Sequence, residues 1–134
     1  MNQLLKEIEQ KYLQPDRNFS VGDHVRVHLE IAEGGKKRIQ IFEGDVIKRE
    51  GAGTNATVTI RKMSEGIGVE KIVPIHLPGL KKVEIMRNAS VRRAKLYYLR
   101  GAVGQDAKLK EASESAATSS RTAKAAKLAK ASTN

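Results

Sequence analysis

Apolar residues recur along the chain at two spacings, first every three or four positions and then every second position. Near the N-terminus, Leu5, Ile8 and Tyr12 fall three and four residues apart, and Pro15 interrupts the series. This spacing predicts a short amphipathic helix. We therefore expect residues 1–19 to form an N-terminal helix and a loop.

Residues 20–87 follow the two-residue period instead. Val25 and Val27 face one side of a predicted strand, and the charged and polar residues between them face the other. About five such segments are separated by Gly, Pro and Asn. Short strands at this spacing predict a mostly β domain, a small antiparallel barrel, because closure removes exposed sheet edges. Gly22 and Gly44 fall where such a barrel needs sharp corners.

Basic residues are concentrated after the predicted barrel. Residues 87–100 contain five basic side chains and no acidic one. In VRRAKLYYLR the apolar residues point in several directions on a helical wheel, so we expect a helix held between the barrel and a second macromolecule. There the arginines would bind phosphates, and Tyr97 or Tyr98 would stack on a base or ribose. The alternative, with both tyrosines in the core and the arginines in solvent, stays open.

The composition changes again at the C-terminus. Residues 88–111 are predicted to form a basic, helical extension that contacts RNA. Residues 112–134 consist mainly of Ala, Ser, Thr and Lys, which predicts a disordered low-complexity tail with nothing to bury.

The charge balance and the missing residue types narrow the function classes. There are 25 Lys and Arg against 15 Asp and Glu, a net charge of +10, which is typical of proteins that bind polyanions such as nucleic acid. The absence of cysteine excludes disulfides, cysteine zinc sites and thiol nucleophiles. No segment has the apolar run of a signal peptide or the ~20 apolar residues of a membrane span, which predicts a cytoplasmic protein.

Candidate catalytic groups are better explained as structural residues. His24 and His28 lie four apart on a predicted strand, about 13 Å by strand rise, which is too far for one metal ion. His76 lies in a proline-bounded turn, where a structural role is expected. Glu43 and Asp45 flank a glycine and read as solvated turn residues rather than an acid–base pair. We predict no enzymatic activity, no catalytic residue, no metal site and no cofactor.

Three motifs, IQIFEG, GVEKIVPIH and RRAKLYYLR, resemble those of the bacterial L-nineteen family of large-subunit ribosomal proteins. The resemblance runs from about residue 1 to 111. It implies an SH3-like barrel with terminal extensions. It also implies that the protein is a structural constituent of the large ribosomal subunit and is not an enzyme. It also implies binding to large-subunit ribosomal RNA near the subunit interface, contact with a neighbouring protein of the L-fourteen family, and an intersubunit bridge to small-subunit ribosomal RNA during translation. No membrane and no small-molecule substrate is implied.

The candidate RNA-binding residues are cations and tyrosines of the barrel loops and the extension. Strand-end position, local charge or the resemblance selects Lys36, Lys37, Arg38, Lys48, Arg49, Arg61, Lys62, Arg87, Arg92, Arg93, Lys95, Tyr97, Tyr98, Arg100, Lys108 and Lys110. The chain departs from the family in the loop KREGAGTN, which carries Glu50, and in VGQDAKLKE, which introduces Asp106.

Two other function classes compete with this interpretation. A DNA-associated architectural protein is the main alternative, because RTAKAAKLAKAS resembles the lysine–alanine arms of chromatin-condensing proteins. A small hydrolase using Asp23, His24 or His76 is the least favoured class.

Overall fold

The computed structural model describes residues 2–14, 17–102, 104 and 108–111; the predicted tail, residues 112–134, lies outside the described residues. The elements are α1 (Gln3–Tyr12), β1 (His24–Glu33), β2 (Lys36–Glu50), β3 (Thr57–Ser64), β4 (Ile67–Pro74) and β5 (Leu80–Arg87). Two single 3-10 turns follow β2 and β5, at Gly53–Asn55 and Tyr97–Arg100.

The N-terminal helix is confirmed, and its apolar face is exposed. The Asn2 side chain caps α1 by accepting a hydrogen bond from the Leu4 N–H at 3.3 Å. Leu4, Leu5, Ile8 and Tyr12 are each more than half exposed. The periodicity that predicts the helix therefore does not arise from packing against the sheet of this chain.

The five strands form one antiparallel sheet in the order β4-β3-β2-β1-β5, as the two-residue period predicts. Val25, Val27 and Leu29 of β1 are buried, and the residues between them are half-buried on the opposite face. The buried residues of the sheet face and its flanking loops form the main core: Phe19, Val25, Val27, Leu29, Phe42, Val46, Ala56, Val58, Ile60, Val73, Ile75 and Leu80. Each large aliphatic side chain in it contributes about 1.5–3 kcal/mol by burial.

The predicted closure of the barrel is wrong, because no ladder joins the outer strands β4 and β5 within the described residues. Residues 75–79 connect these strands from one edge of the sheet to the other. The connector is fixed to the sheet by its backbone, with the Ile75 N–H donating to the Ala56 carbonyl at 2.9 Å and the Glu30 N–H donating to the Gly79 carbonyl at 2.7 Å. Charged residues on the outer strands protect an edge without closing it.

Gly44 lies inside β2 and not at the predicted corner. A Cβ at this position would lie 2.4 Å from the carbonyl oxygen of Arg61, so only glycine lets β3 approach this closely. The ladder between β2 and β3 ends one residue away, at the Asp45–Arg61 pair. Beyond that pair, β2 continues alongside β1 and β3 continues alongside β4 as two separate hairpins.

The basic extension is not the predicted helix, since its only helical turn within the described residues is Tyr97–Arg100. The backbones of Lys95 and Lys48 form an isolated antiparallel β-bridge, and the Leu96 N–H donates to the Ile47 carbonyl at 2.8 Å. Leu96, Leu99 and Ile47 form a second, smaller buried cluster. The segment around Leu96 is extended and forms its backbone hydrogen bond with β2. Because the segment is not a helix, its apolar residues do not fall on one side of a helical wheel.

Candidate nucleic-acid interface

The β1–β2 turn presents three of the predicted cations, two of them paired loosely within the hairpin. Arg38 lies 3.3 Å from Glu33, and Lys37 lies 3.9 Å from Glu30. Lys36 has no carboxylate within 4 Å among the described residues. Exposed pairs of this kind are worth little, about 0–1 kcal/mol, so a phosphate can compete for the cations.

Lys48 and Arg49 are held by contacts within the chain. The Lys48 ammonium lies 2.6 Å from Glu50, and this hydrogen bond raises the pKa of Lys48 above its ordinary value. Arg49 donates to the Phe19 carbonyl at 2.8 Å, and its guanidinium lies 5.8 Å from the centroid of the Phe19 ring. Arg49 therefore anchors the loop before β1, and its charge is less accessible than the sequence suggests.

Residues 87–100 contain no acidic residue, but Arg100 has a carboxylate partner on β4. Its Nε and NH2 groups donate to the two oxygens of Glu70 at 2.8 and 2.9 Å, and its guanidinium lies 4.7 Å from the Tyr97 ring centroid. Arg61 donates to the same carboxylate at 3.0 Å. The bond from Arg100, followed by Arg61, lowers the pKa of Glu70. The acidic partner comes from β4, which local charge counting along residues 87–100 cannot detect.

Lys62 and Arg87 each contact another side chain of the domain or the extension. The Lys62 ammonium lies 4.8 Å from the centroid of the Phe42 ring, a cation–π arrangement. Arg87 lies 3.5 Å from Glu111 across an exposed surface.

Four basic residues of the extension, Arg92, Arg93, Lys108 and Lys110, line a cleft of about 580 Å³, here named the basic cleft. Among the described residues, its lining includes Ser90, Val91, Arg92, Arg93, Leu96, Tyr98, Lys108, Leu109 and Lys110. All four ionisable side chains other than the tyrosine are cationic, and none has a carboxylate within 4 Å among the described residues. Like charges gathered in one concave site produce a strongly positive local potential.

Two distant segments build the basic cleft by lying side by side. Ala89 forms an antiparallel bridge with Glu111, and the Ser90 N–H donates to the Lys110 carbonyl at 3.0 Å. Sequence reasoning selects Lys108 and Lys110 but misses this pairing. The alternation of Lys108, Leu109 and Lys110 is a signal for it, because an extended segment would turn Leu109 toward the small buried cluster while both cations face away.

Tyr97 and Tyr98 diverge from each other. The Arg93 guanidinium lies 5.3 Å from the centroid of the Tyr98 ring, inside the basic cleft, whereas Tyr97 lies under Arg100 outside it. The two rings are exposed to similar extents, 45% for Tyr98 and 40% for Tyr97. Each ring is thus half-exposed beside an arginine, and neither belongs to the core.

Glu43 and Asp45 are strand residues that pair across the sheet, and the expectation of solvated turn residues is wrong. Asp45 lies 2.7 Å from His24 Nδ1, and Glu43 lies 2.8 Å from Arg26, which lowers the pKa of Glu43. His28 lies 3.3 Å from Glu84 of β5. These groups cross-link three strands. Within the described residues no group of three or more His, Asp or Glu side chains could hold a metal ion.

His76 and Arg17 fasten the N-terminal segment to the β4–β5 connector. His76 Nδ1 accepts a hydrogen bond from the Gln14 N–H at 3.0 Å. Burial, and then Arg17 and Arg49, lower the pKa of His76, consistent with a neutral ring that accepts. Arg17 donates to the carbonyls of Ile75, Leu77 and Leu80. Sequence reasoning misses Arg17, because a single arginine in a loop carries no signal of this contact.

None of the helices in the described part of the chain is long and apolar enough to cross a membrane. A family model described as Ribosomal protein L19 matches residues 3–112, which include the sheet and the basic cleft. The predicted family membership is confirmed. The chain therefore belongs to the ribosomal protein L19 family, whose members are structural and typically non-enzymatic proteins of the large ribosomal subunit.

Proposed function

We propose that this protein binds large-subunit ribosomal RNA near the subunit interface and accelerates no reaction. The observation that carries the proposal is the basic cleft, where Arg92, Arg93, Lys108 and Lys110 gather without a carboxylate in the described lining. Four cations that line one cleft repel one another in an isolated chain, so their arrangement becomes favourable when a polyanion occupies the cleft. Phosphate oxygens suit both the planar arginine forks and the lysine point charges.

The proposed RNA-binding surface consists of the basic cleft, the β1–β2 turn and further exposed cations and tyrosines. It comprises Lys36, Lys37, Arg38, Lys62, Arg87, Arg92, Arg93, Lys95, Tyr97, Tyr98, Arg100, Lys108 and Lys110. Lys48, Arg49 and Arg61 support this surface through their contacts with neighbouring residues of the chain. Because most contacts reach the RNA backbone, we expect weak sequence preference in isolation.

The described elements also support a division of labour along the chain. We assign residues 20–87 to a rigid domain, an open sheet of the SH3-like type, and residues 88–111 to the RNA-contacting extension. The five antiparallel strands and the shared core support the first assignment. The hydrogen bond from Leu96 to Ile47 and the small cluster around Leu96 support the second, because they hold the extension against the sheet.

A protein neighbour of the L-fourteen family and a bridge to small-subunit ribosomal RNA belong to the same proposal. Ile39, Ile41 and Ile72 on β2 and β4 are each more than half exposed. Exposed aliphatic side chains suit a protein surface better than a phosphate backbone. The turn cations and the basic cleft are separate positive groups, which supports contact with two RNA segments.

The proposal is tested by fluorescence anisotropy with a labelled fragment of large-subunit ribosomal RNA over a range of salt concentrations. We expect Arg92→Ala with Arg93→Ala to weaken binding at least tenfold. The log–log salt slope should flatten by about 1.4 to 1.8, since two phosphate contacts are lost at roughly 0.7 to 0.9 each. The thermal melting of the domain should not change.

A matched variant separates a specific surface from general positive charge. Lys6→Ala with Lys11→Ala removes the same charge from α1, where both lysines are exposed. Its RNA affinity should fall less than threefold. Equal losses in the two double variants, or a salt slope near zero in the wild type, would contradict the proposal. A preference for duplex DNA over RNA would favour the architectural alternative.

A further inference from the structure

We propose that the basic cleft holds a single unstacked RNA nucleotide, with its base beside Tyr98 and Arg93 and its phosphate against the surrounding lysines and Arg92. This inference rests on the proposed function and specifies the ligand of one part of the surface. It predicts that the protein distinguishes an RNA stem with an extruded nucleotide from a fully paired stem.

The shape of the basic cleft is the first argument. Contact with a phosphate backbone requires only a flat or convex positive surface. The volume of this open cleft, about 580 Å³, lies within the range of small-molecule sites, about 300–1,000 Å³, so the cleft has room for one nucleotide. Two of the segments that line it are joined by the hydrogen bond from Ser90 to Lys110, which fixes their relative position before a ligand arrives.

The mixed lining is the second argument. Leu96 is fully buried beneath the basic cleft, and Val91 and Leu109 are half-buried beside it. A phosphate gains nothing from aliphatic groups, whereas the face of a nucleobase does. The combination of apolar residues and four cations in one lining therefore matches a whole nucleotide better than a phosphate alone.

The Arg93–Tyr98 pair is the third argument. The guanidinium lies 5.3 Å from the ring centroid, and 45% of the tyrosine remains exposed. Unpaired bases in RNA stack on aromatic rings and on guanidinium planes, and a stack on an aromatic ring strengthens binding about 5- to 150-fold. A base inside a duplex cannot reach this pair, because both of its faces are already stacked.

The test compares three RNA hairpins of one sequence, bound to the full chain at physiological salt. The first is fully paired, the second contains one extruded nucleotide, and the third contains an abasic residue at the same position. We expect the second to bind about tenfold tighter than the first. The abasic hairpin should lose this gain although it carries the same number of phosphates.

Neighbouring tyrosines provide a matched pair of variants. Tyr98→Leu keeps apolar bulk but removes the aromatic face, so it should abolish the preference for the extruded nucleotide with little change in salt slope. Tyr97→Leu alters a ring of similar exposure outside the basic cleft, so any loss of affinity should be the same for all three hairpins and the preference should be retained. Arg93→Ala should weaken the preference and should also flatten the slope.

Each result is decisive. Equal affinity for the paired and extruded hairpins, with a steep salt slope, would overturn the nucleotide site and leave the proposed function intact. Equal effects of Tyr97→Leu and Tyr98→Leu, or a preference that survives both Tyr98→Leu and Arg93→Ala, would overturn it as well. Weak binding to all three hairpins with a slope near zero would overturn the proposed function itself.

Discussion

Replacing Leu96 with alanine should release the basic extension from the sheet while the main core stays folded. Among the described residues, Leu96 is fully buried in a cluster of three buried residues, together with Ile47 and Leu99. Its backbone N–H also donates to the Ile47 carbonyl. The main core does not include it, so a change at Leu96 acts on the attachment of the extension.

The expected loss of free energy in Leu96→Ala follows from the side-chain volume removed and from the small size of the cluster. Leucine-to-alanine changes in buried sites cost about 2–5 kcal/mol, with the smaller values where neighbours relax into the space. The half-buried Val21, Val91 and Leu109 around this small cluster can move inward. We therefore expect a loss of about 2–3 kcal/mol in the attachment, which corresponds to a roughly 30- to 150-fold larger population of the open state.

Amide hydrogen exchange measures this opening directly, with the Leu96 N–H as the probe. Its protection should fall by that factor, the protection of β1 amides should change less than threefold, and RNA affinity should fall at least tenfold. Leu80→Ala in the main core is the control, and it should reduce protection throughout the sheet. Uniform loss of protection in Leu96→Ala would show that the extension and the sheet unfold as one unit, contrary to this reasoning.

Three further predictions concern the shared carboxylate and a close strand contact. Glu70→Gln should weaken RNA binding severalfold in anisotropy measurements, because Arg100 and Arg61 lose the carboxylate that orients them. If net charge alone determined affinity, removal of this negative charge would instead tighten RNA binding. Arg100 lowers the pKa of Glu70 below 4.5 in the folded protein. The stabilisation by this pair is therefore present above about pH 4.5 and is lost as the pH falls through the lowered pKa of the folded state. The melting temperature of Glu70→Gln should accordingly depend less on pH in acid than that of the wild type. Gly44→Ala should destabilise the domain by about 1–3 kcal/mol in thermal melts, because its Cβ meets the Arg61 carbonyl, whereas Gly101→Ala has no contact closer than 3.9 Å and should be nearly neutral.

The sequence predicts those parts of the fold in which local pattern and burial agree. The alternation of Val25, Val27 and Leu29 corresponds to their burial in β1. The spacing of Leu5 and Ile8 identifies α1 although neither residue is buried. In these segments each residue's environment follows from its immediate neighbours, which is the only information that periodicity contains.

The remaining features depend on contacts between distant segments. Arg100 and Glu70 are thirty residues apart, so counting charges along residues 87–100 leaves the arginine unpaired. The hydrogen bond from Leu96 to Ile47 favours an extended backbone where local composition suggests a helix. The basic cleft likewise requires residues 88–91 and 108–111 to meet. Its cations are predicted individually, but their convergence on one concave site is not.

The fastening of the N-terminal segment by His76 and Arg17 has a consequence for assembly. Gln14 is bonded to His76, and the ten residues of α1 extend from that point for about 15 Å. The exposed side chains of Leu4 and Ile8 are thus carried on a short rigid arm with a fixed origin. Binding of this preordered arm to a partner surface costs much less conformational entropy than binding of a free peptide. A small apolar contact is therefore enough to bind the helix.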